Sequence, residues 1–164
     1  MTTIKEQTMN KAMQPAPTES DHQAAEKNIR FFSYKKPEKF ERKKVTILAG
    51  QTDLLRGMIQ VVTEGGENNL HYHAKVDAFW MVLKGRAKFY GPNDELLGEV
   101  GPHEGLVIPR NARYWFESSS DEHLEVLLVQ AFDQAGNTDN SGRTDAAPRK
   151  LEDAGASPKL TARV

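Results

Sequence analysis

The chain has 164 residues, with 22 Lys and Arg against 23 Asp and Glu, a formal charge of −1 and no Cys. That balance leaves no extended phosphate-binding surface, since nucleic-acid binding requires clustered cations that displace counterions, and without Cys there is no disulfide, thiolate metal site or Cys nucleophile. Apolar runs such as Val126-Leu127-Leu128-Val129 fall far short of the roughly 20 residues of a membrane-spanning helix, and the N-terminus lacks the apolar stretch of a signal peptide, so one soluble cytoplasmic domain is expected, with no nucleic-acid or membrane partner.

Residues 1–43 read as an arm. In it Ser20-Asp21-His22-Gln23 has capping-box form, with Ser20 accepting from the third helical N–H and Gln23 reaching back, which predicts a short helix over 21–32. Phe31, Phe32 and Tyr34 follow. Such a cluster calls for cover, so the arm is expected to pack on the domain or on a second copy, and a homodimer is the expected assembly. The basic run Lys35-Lys36, Lys39 and Arg42-Lys43-Lys44 is interrupted by Glu38 and Glu41 and reads as a solvated connector.

Between residues 44 and 132 the texture changes. Two Trp, four Tyr and seven Phe all lie between Phe31 and Phe132, and short segments rich in Val, Ile, Leu and aromatics alternate with turn residues. The expected strands are Val45–Ala49, Leu55–Thr63, Leu70–His73, Ala78–Lys84, Arg86–Tyr90, Leu96–Val100, Leu106–Pro109, Arg113–Glu117 and Leu124–Phe132. Gly65-Gly66, Gly85, Gly91-Pro92-Asn93-Asp94 and Pro109-Arg110-Asn111 supply the chain reversals. Many short strands without intervening helix imply an all-β sandwich or barrel, able to hold a ligand in its mouth. From Asp133 to Val164 the only sizeable apolar groups are Leu151, Leu160 and Val164, too few to offset ordering entropy, so 133–164 reads as a flexible tail.

The chemistry centres on His71-Tyr72-His73. In a strand, period-2 geometry sends both imidazoles to one face, which brings two nitrogen ligands together; two surface histidines would give the same pattern. With Gly65 before the pair and Gly85 after it, the segment resembles the first motif of the cupin superfamily. His103 to Tyr114, with Pro109 inside it, resembles the second. The resemblance implies a double-stranded β-helix, the jelly-roll barrel, often homodimeric. Counting back six residues from Gly85 puts the family's glutamate ligand at Ala78, with Asp77 one position earlier, and the family's last histidine falls at Tyr114. In that register Asp77 points away from the site unless a bulge re-aims it. Asn111 and His103 stand where the second motif has glycine, and Asn tolerates the left-handed conformation.

Three readings remain open. A divalent transition metal (iron, nickel, copper, zinc or manganese) is held by His71 and His73 with Asp77 or Tyr114, leaving positions for substrate. Alternatively the site is metal-free and similar to the sugar-nucleotide epimerases and isomerases of the superfamily, with His71 or His73 as base, Tyr114 as acid and Asp77 as an orienting partner. Or the barrel binds or regulates without catalysis. Trp80 and Phe116 read either as core or as pocket walls for a sugar, small organic acid or aromatic ligand. Arg110 and Arg113 flank the motif and read either as solvated turn residues or as partners for an anion. His22, His103 and His123 read as surface residues.

Overall fold

The structure, a computed structural model, describes residues 15–39, 41–63, 68–134 and 140–146, and the backbone of Lys159–Thr161. Gly65 and Gly66, and Leu151 and Val164 of the C-terminal segment, lie outside the described residues. The chain divides into two units between Phe31 and Phe32.

In the first unit the helix α1 spans Glu19–Glu26, two residues earlier than the Ser20 box predicts. Thr18 is the N-cap: its hydroxyl accepts from the Asp21 N–H at 3.3 Å, and the Asp21 carboxylate accepts from the Thr18 N–H at 2.8 Å. This box wins because it places Glu19 and Asp21 in the first turn, where carboxylates complement the helix dipole. Ile29 and Phe31 beyond it are exposed.

The second unit is built of strands β1 (Lys44–Gln51), β2 (Leu55–Val62), β3 (His71–His73), β4 (Val76–Lys84), β5 (Ala87–Tyr90), β6 (Leu96–Val100), β7 (Gly105–Ile108), β8 (Trp115–Ser118), β9 (Leu124–Phe132), β10 (Arg143–Asp145) and β11 (Lys159–Thr161). Every strand expected between Val45 and Phe132 forms. One sheet has the order β11-β1-β2-β9-β4-β7. Opposite it stand β10-β3 and β6-β5-β8, joined where His71 and Tyr114 exchange backbone hydrogen bonds of 3.1 and 2.9 Å.

Two strands depart from the tail reading of 133–164. β10 lies antiparallel on β3, and β11 parallel on β1. Both complete sheet edges through backbone N–H and C=O groups, a drive that side-chain composition does not report. Of the aromatic cluster before β1, Tyr34 packs on Val45, Ile47 and Val61 and donates its hydroxyl to Glu125 at 2.7 Å. Phe32 is 56% exposed within the chain.

The core fills the space between the sheets. Met58, Val62, Ala78, Trp80, Val82, Leu124, Val126 and Leu128 face Ala87, Phe89, Tyr114 and Phe116, the inward set that period-2 alternation selects. His103 and Asn111 take φ of 67° and 68°, so both non-glycine residues of the second motif adopt the left-handed conformation. Gly105 is fixed by contact instead: a Cβ there would lie 1.9 Å from the Trp80 carbonyl oxygen across the β4–β7 ladder. Gly105→Ala is therefore expected to cost roughly 3 kcal/mol, the upper end for overpacking, because backbone rather than a side-chain tip must move. Urea denaturation checks this, and a loss below about 1 kcal/mol would show that the ladder yields.

Candidate functional site

The site forms where β3 meets Tyr114. The His71–Tyr114 bridge makes the two side chains cross-strand neighbours on the inner face, and their rings sit 4.5 Å apart between centroids. His73, two residues on, shares that face, with its ring 5.1 Å from His71 and nearly perpendicular to it. His71 and Tyr114 are buried, and His73 is half-buried.

Hydrogen bonds set the protons. His71 Nδ1 lies 2.7 Å from the Asn69 carbonyl oxygen; a carbonyl only accepts, so Nδ1 carries the proton and Nε2 presents its lone pair. His73 Nδ1 lies 2.8 Å from the Ser141 hydroxyl, a partner that either donates or accepts. Burial, and then the Arg143 charge, push the His71 imidazole down to about 3. The same causes, with Arg56, hold His73 at about 4. Both rings are neutral near pH 7. Burial raises the Tyr114 phenol well above its ordinary value; the nearby Trp80 indole N–H, beyond strict hydrogen-bond reach, and the Arg143 charge oppose this weakly. Tyr114 is thus a protonated hydrogen-bond donor.

One rung across the larger sheet supplies the facing wall. In register, Arg56 of β2 pairs with Gln130 of β9, which pairs with Ala78 of β4. Arg56 Nε and Nη2 donate to the Gln130 side-chain oxygen at 3.2 and 2.7 Å, and both residues are buried. Deeper in the barrel, Gln60 Oε1 and Trp80 Nε1 are buried without a hydrogen-bond partner among the described residues. Such groups are rare in protein interiors.

The remaining candidates separate. Asp77 sits on the outer face of β4, where its carboxylate accepts from the Arg110 backbone N–H at 2.8 Å and from the guanidinium at 3.3 Å. The bonds to Arg110 lower its pKa. No bulge re-aims it, so it is not brought to the histidines as ligand or orienting partner. Arg113 is exposed, one residue out of phase with buried Tyr114, and does not line the pocket. Trp80 and Phe116 are buried core groups with ring centroids 5.1 Å apart; they floor the site rather than offer an open stacking face.

Sequence reasoning missed Asn69, Ser141 and Arg143, which reach the histidines through a turn and through strand β10. It also missed Arg56, Gln60 and Gln130, for which a signal existed. Arg56-x-Met58-x-Gln60-x-Val62 and Leu124-x-Val126-x-Leu128-x-Gln130 are strand alternations in which polar residues take inward positions.

The donor set does not fit a resident metal ion. The acidic ligand position is Ala78, the last histidine position is Tyr114 with its phenol held protonated, and no three His, Cys, Asp or Glu converge among the described residues. The charges that bear on the two imidazoles are mainly cationic, from Arg143, Arg56 and Lys44, against Asp145 alone. Cations beside a two-nitrogen site oppose a divalent ion electrostatically.

Residues 58–130 match the family model described as cupin domain. A double-stranded β-helix protein from Klebsiella pneumoniae superposes with a TM-score of 0.60 at 18% identity, over 75% of this chain and 96% of that one. KdgF from Halomonas sp. gives 0.53 at 16% identity, over 62% and 94%. The DMSP lyase DddQ from Ruegeria pomeroyi gives 0.53 at 15% identity, over 65% and 53%. These likenesses concern the fold. No curated protein matches the sequence. No described helix is long and apolar enough to cross a membrane.

Proposed function

Residues 58–130 form a cupin domain, and on that footing we propose that the barrel is a metal-independent pocket for a small organic molecule, recognised by His71 and Tyr114 as an acceptor and donor pair. The observation that carries this is the contact of two buried, uncharged groups with fixed roles: His71 Nε2 as lone pair, Tyr114 Oη as donor, 4.5 Å between ring centroids. A ligand hydroxyl has both partners here, donating to His71 Nε2 and accepting from Tyr114 Oη, whereas a ligand carbonyl accepts from Tyr114 alone. Fixed partners that cannot be satisfied by an apolar analogue discriminate strongly for polar ligands.

A second reading is proton transfer next to a carbonyl, with His71 as base and Tyr114 as acid. The same contact favours it. A base held near 3 abstracts carbon-bound protons poorly at neutral pH, so this reading requires a ligand whose own negative charge raises the imidazole.

Elemental analysis of untagged protein after incubation with iron, nickel and zinc is expected to show substoichiometric metal, no different in the His71→Ala/His73→Ala variant. Near-stoichiometric metal that the variant loses would overturn the metal-independent reading. In a thermal-shift panel of sugars, sugar nucleotides and small organic acids, a compound that stabilises the wild type is expected to bind Tyr114→Phe about tenfold more weakly, the weight of one buried hydrogen bond. Equal affinity would remove Tyr114 from recognition.

A further inference from the structure

Strand β10 lies beyond the segment that matches the family model, yet it closes one side of the site. Its register sets Arg143 opposite His73 and Asp145 opposite His71. Directly opposed residues of paired strands project to the same face, so Arg143 and Asp145 stand on the face that carries the two imidazoles. Ser141, just before the strand, is bonded to His73. The three residues from 141 to 145 with side chains toward the site thus come from a short polar segment with no apolar residue between them.

Arg143 is placed to act on whatever enters. By register it lies directly opposite His73, and its positive charge disfavours protonation of both His71 and His73. Asp145 takes one bond from Nη2 at 2.7 Å, leaving most of the planar donor fork to other directions. The side chain is 39% exposed, which puts it at the mouth rather than in the core. Across the pocket stands a second guanidinium, Arg56, tethered to Gln130. Beside that rung the small side chain of Ala78 stands where the resemblance implies an acid, and Asp145 is the one carboxylate among the described residues whose charge bears on the two imidazoles.

We infer that Arg143 anchors a carboxylate of the pocket's ligand, so that the barrel takes small organic acids rather than neutral sugars. This rests on the metal-independent reading of the site. A guanidinium fork matches the planar carboxylate with two parallel N–H···O bonds, and Asp145 holds the fork through a single bond from Nη2. The neutral imidazoles neither repel nor neutralise the anion; they are left to bond the rest of the molecule.

The probe is malonate, titrated into protein with 15N-labelled histidine while the His71 and His73 ring resonances are followed, with inorganic phosphate as the second arm. Malonate is expected to shift both rings saturably in the wild type, at least tenfold more weakly in Arg143→Ala, and with intermediate strength in Arg143→Lys, which keeps the charge but not the fork. Circular dichroism identifies a variant that fails to fold; Arg143→Lys, with its stem and charge retained, then carries the comparison. Equal malonate affinity in a folded Arg143 variant and the wild type would overturn the anchor, as would the absence of saturable malonate binding to the wild type or a response to phosphate alone. Metal content separates the two ideas: stoichiometric metal with an Arg143-dependent malonate response sinks the metal-independent reading only, whereas a metal-free barrel indifferent to Arg143 sinks the anchor only.

Discussion

Phe116→Ala is expected to lower the unfolding free energy by about 4 kcal/mol, within the range for a fully buried phenylalanine. Phe116 is 0% exposed. Its ring lies 5.3 Å from Phe89 in a stacked arrangement and 5.1 Å from Trp80, with the Lys44 ammonium 5.2 Å from its centroid. Truncation removes aromatic contacts and a cation–π partner together and leaves a cavity that rigid strands on both sides cannot close. For a domain stable by roughly 5–15 kcal/mol, this is a large share of the total. Phe116→Leu, which keeps most of the volume, should cost less than half as much. Urea denaturation of the two variants checks the pair; similar losses for both would mean that the ring makes no specific contribution.

That core was legible because its elements obey one rule. Phe89, Phe116, Trp80 and Val126 each fall on the inward phase of an alternating strand, and the glycine and proline breaks separate the strands correctly. Residues at the ends of elements were less legible. α1 starts at Glu19 rather than 21 because two overlapping capping boxes compete, and the Thr18 box, which adds Glu19 to the first turn, prevails. β10 and β11 escaped because strand addition at an edge is a backbone interaction: Arg143-Thr144-Asp145 carries no apolar face to announce it.

The candidate site was half legible for the same reason. His71 and His73 share one phase of β3, and the structure brings them together with Tyr114 through the isolated bridge between His71 and Tyr114. Asp77 shows the limit of chemistry read by residue type, since one position along β4 turns a candidate ligand into the outer-face partner of Arg110. Arg143 and Ser141 were out of reach: their relation to His73 spans some seventy residues of chain and depends on which edge β10 selects. Arg56 and Gln130 were within reach, as polar residues on an apolar phase.

The two histidines also make the fold acid-sensitive in a window of their own. An unfolded imidazole titrates near 6.5, whereas burial and the adjacent Arg143 hold His71 and His73 at about 3 and about 4. Between those limits the unfolded chain binds protons that the folded chain refuses, so stability is full above about pH 6.5 and falls as the pH drops. At pH 4.5, about two units below the unfolded value, each group costs roughly 2.5 kcal/mol, and together they remove a large part of a typical domain's stability. The carboxylates lowered by their partners, Asp77 by Arg110 and Glu99 by Ser119 and Arg86, lose their contribution only as the pH passes below the ordinary carboxylate range. The interval from pH 6.5 to 4.5 therefore reports chiefly on the imidazoles. Urea denaturation across it, in buffers free of carboxylates so that no anion occupies the Arg143 side of the pocket, should show a steep decline for the wild type. His71→Gln and His73→Gln should each retain about half the slope, even where they are less stable at pH 7.5. A wild-type stability that is flat from pH 7 to 5, or slopes unchanged in both variants, would mean that these rings take up protons inside the fold as readily as in the unfolded chain, and the lowered pKa values of His71 and His73 would fall with that result.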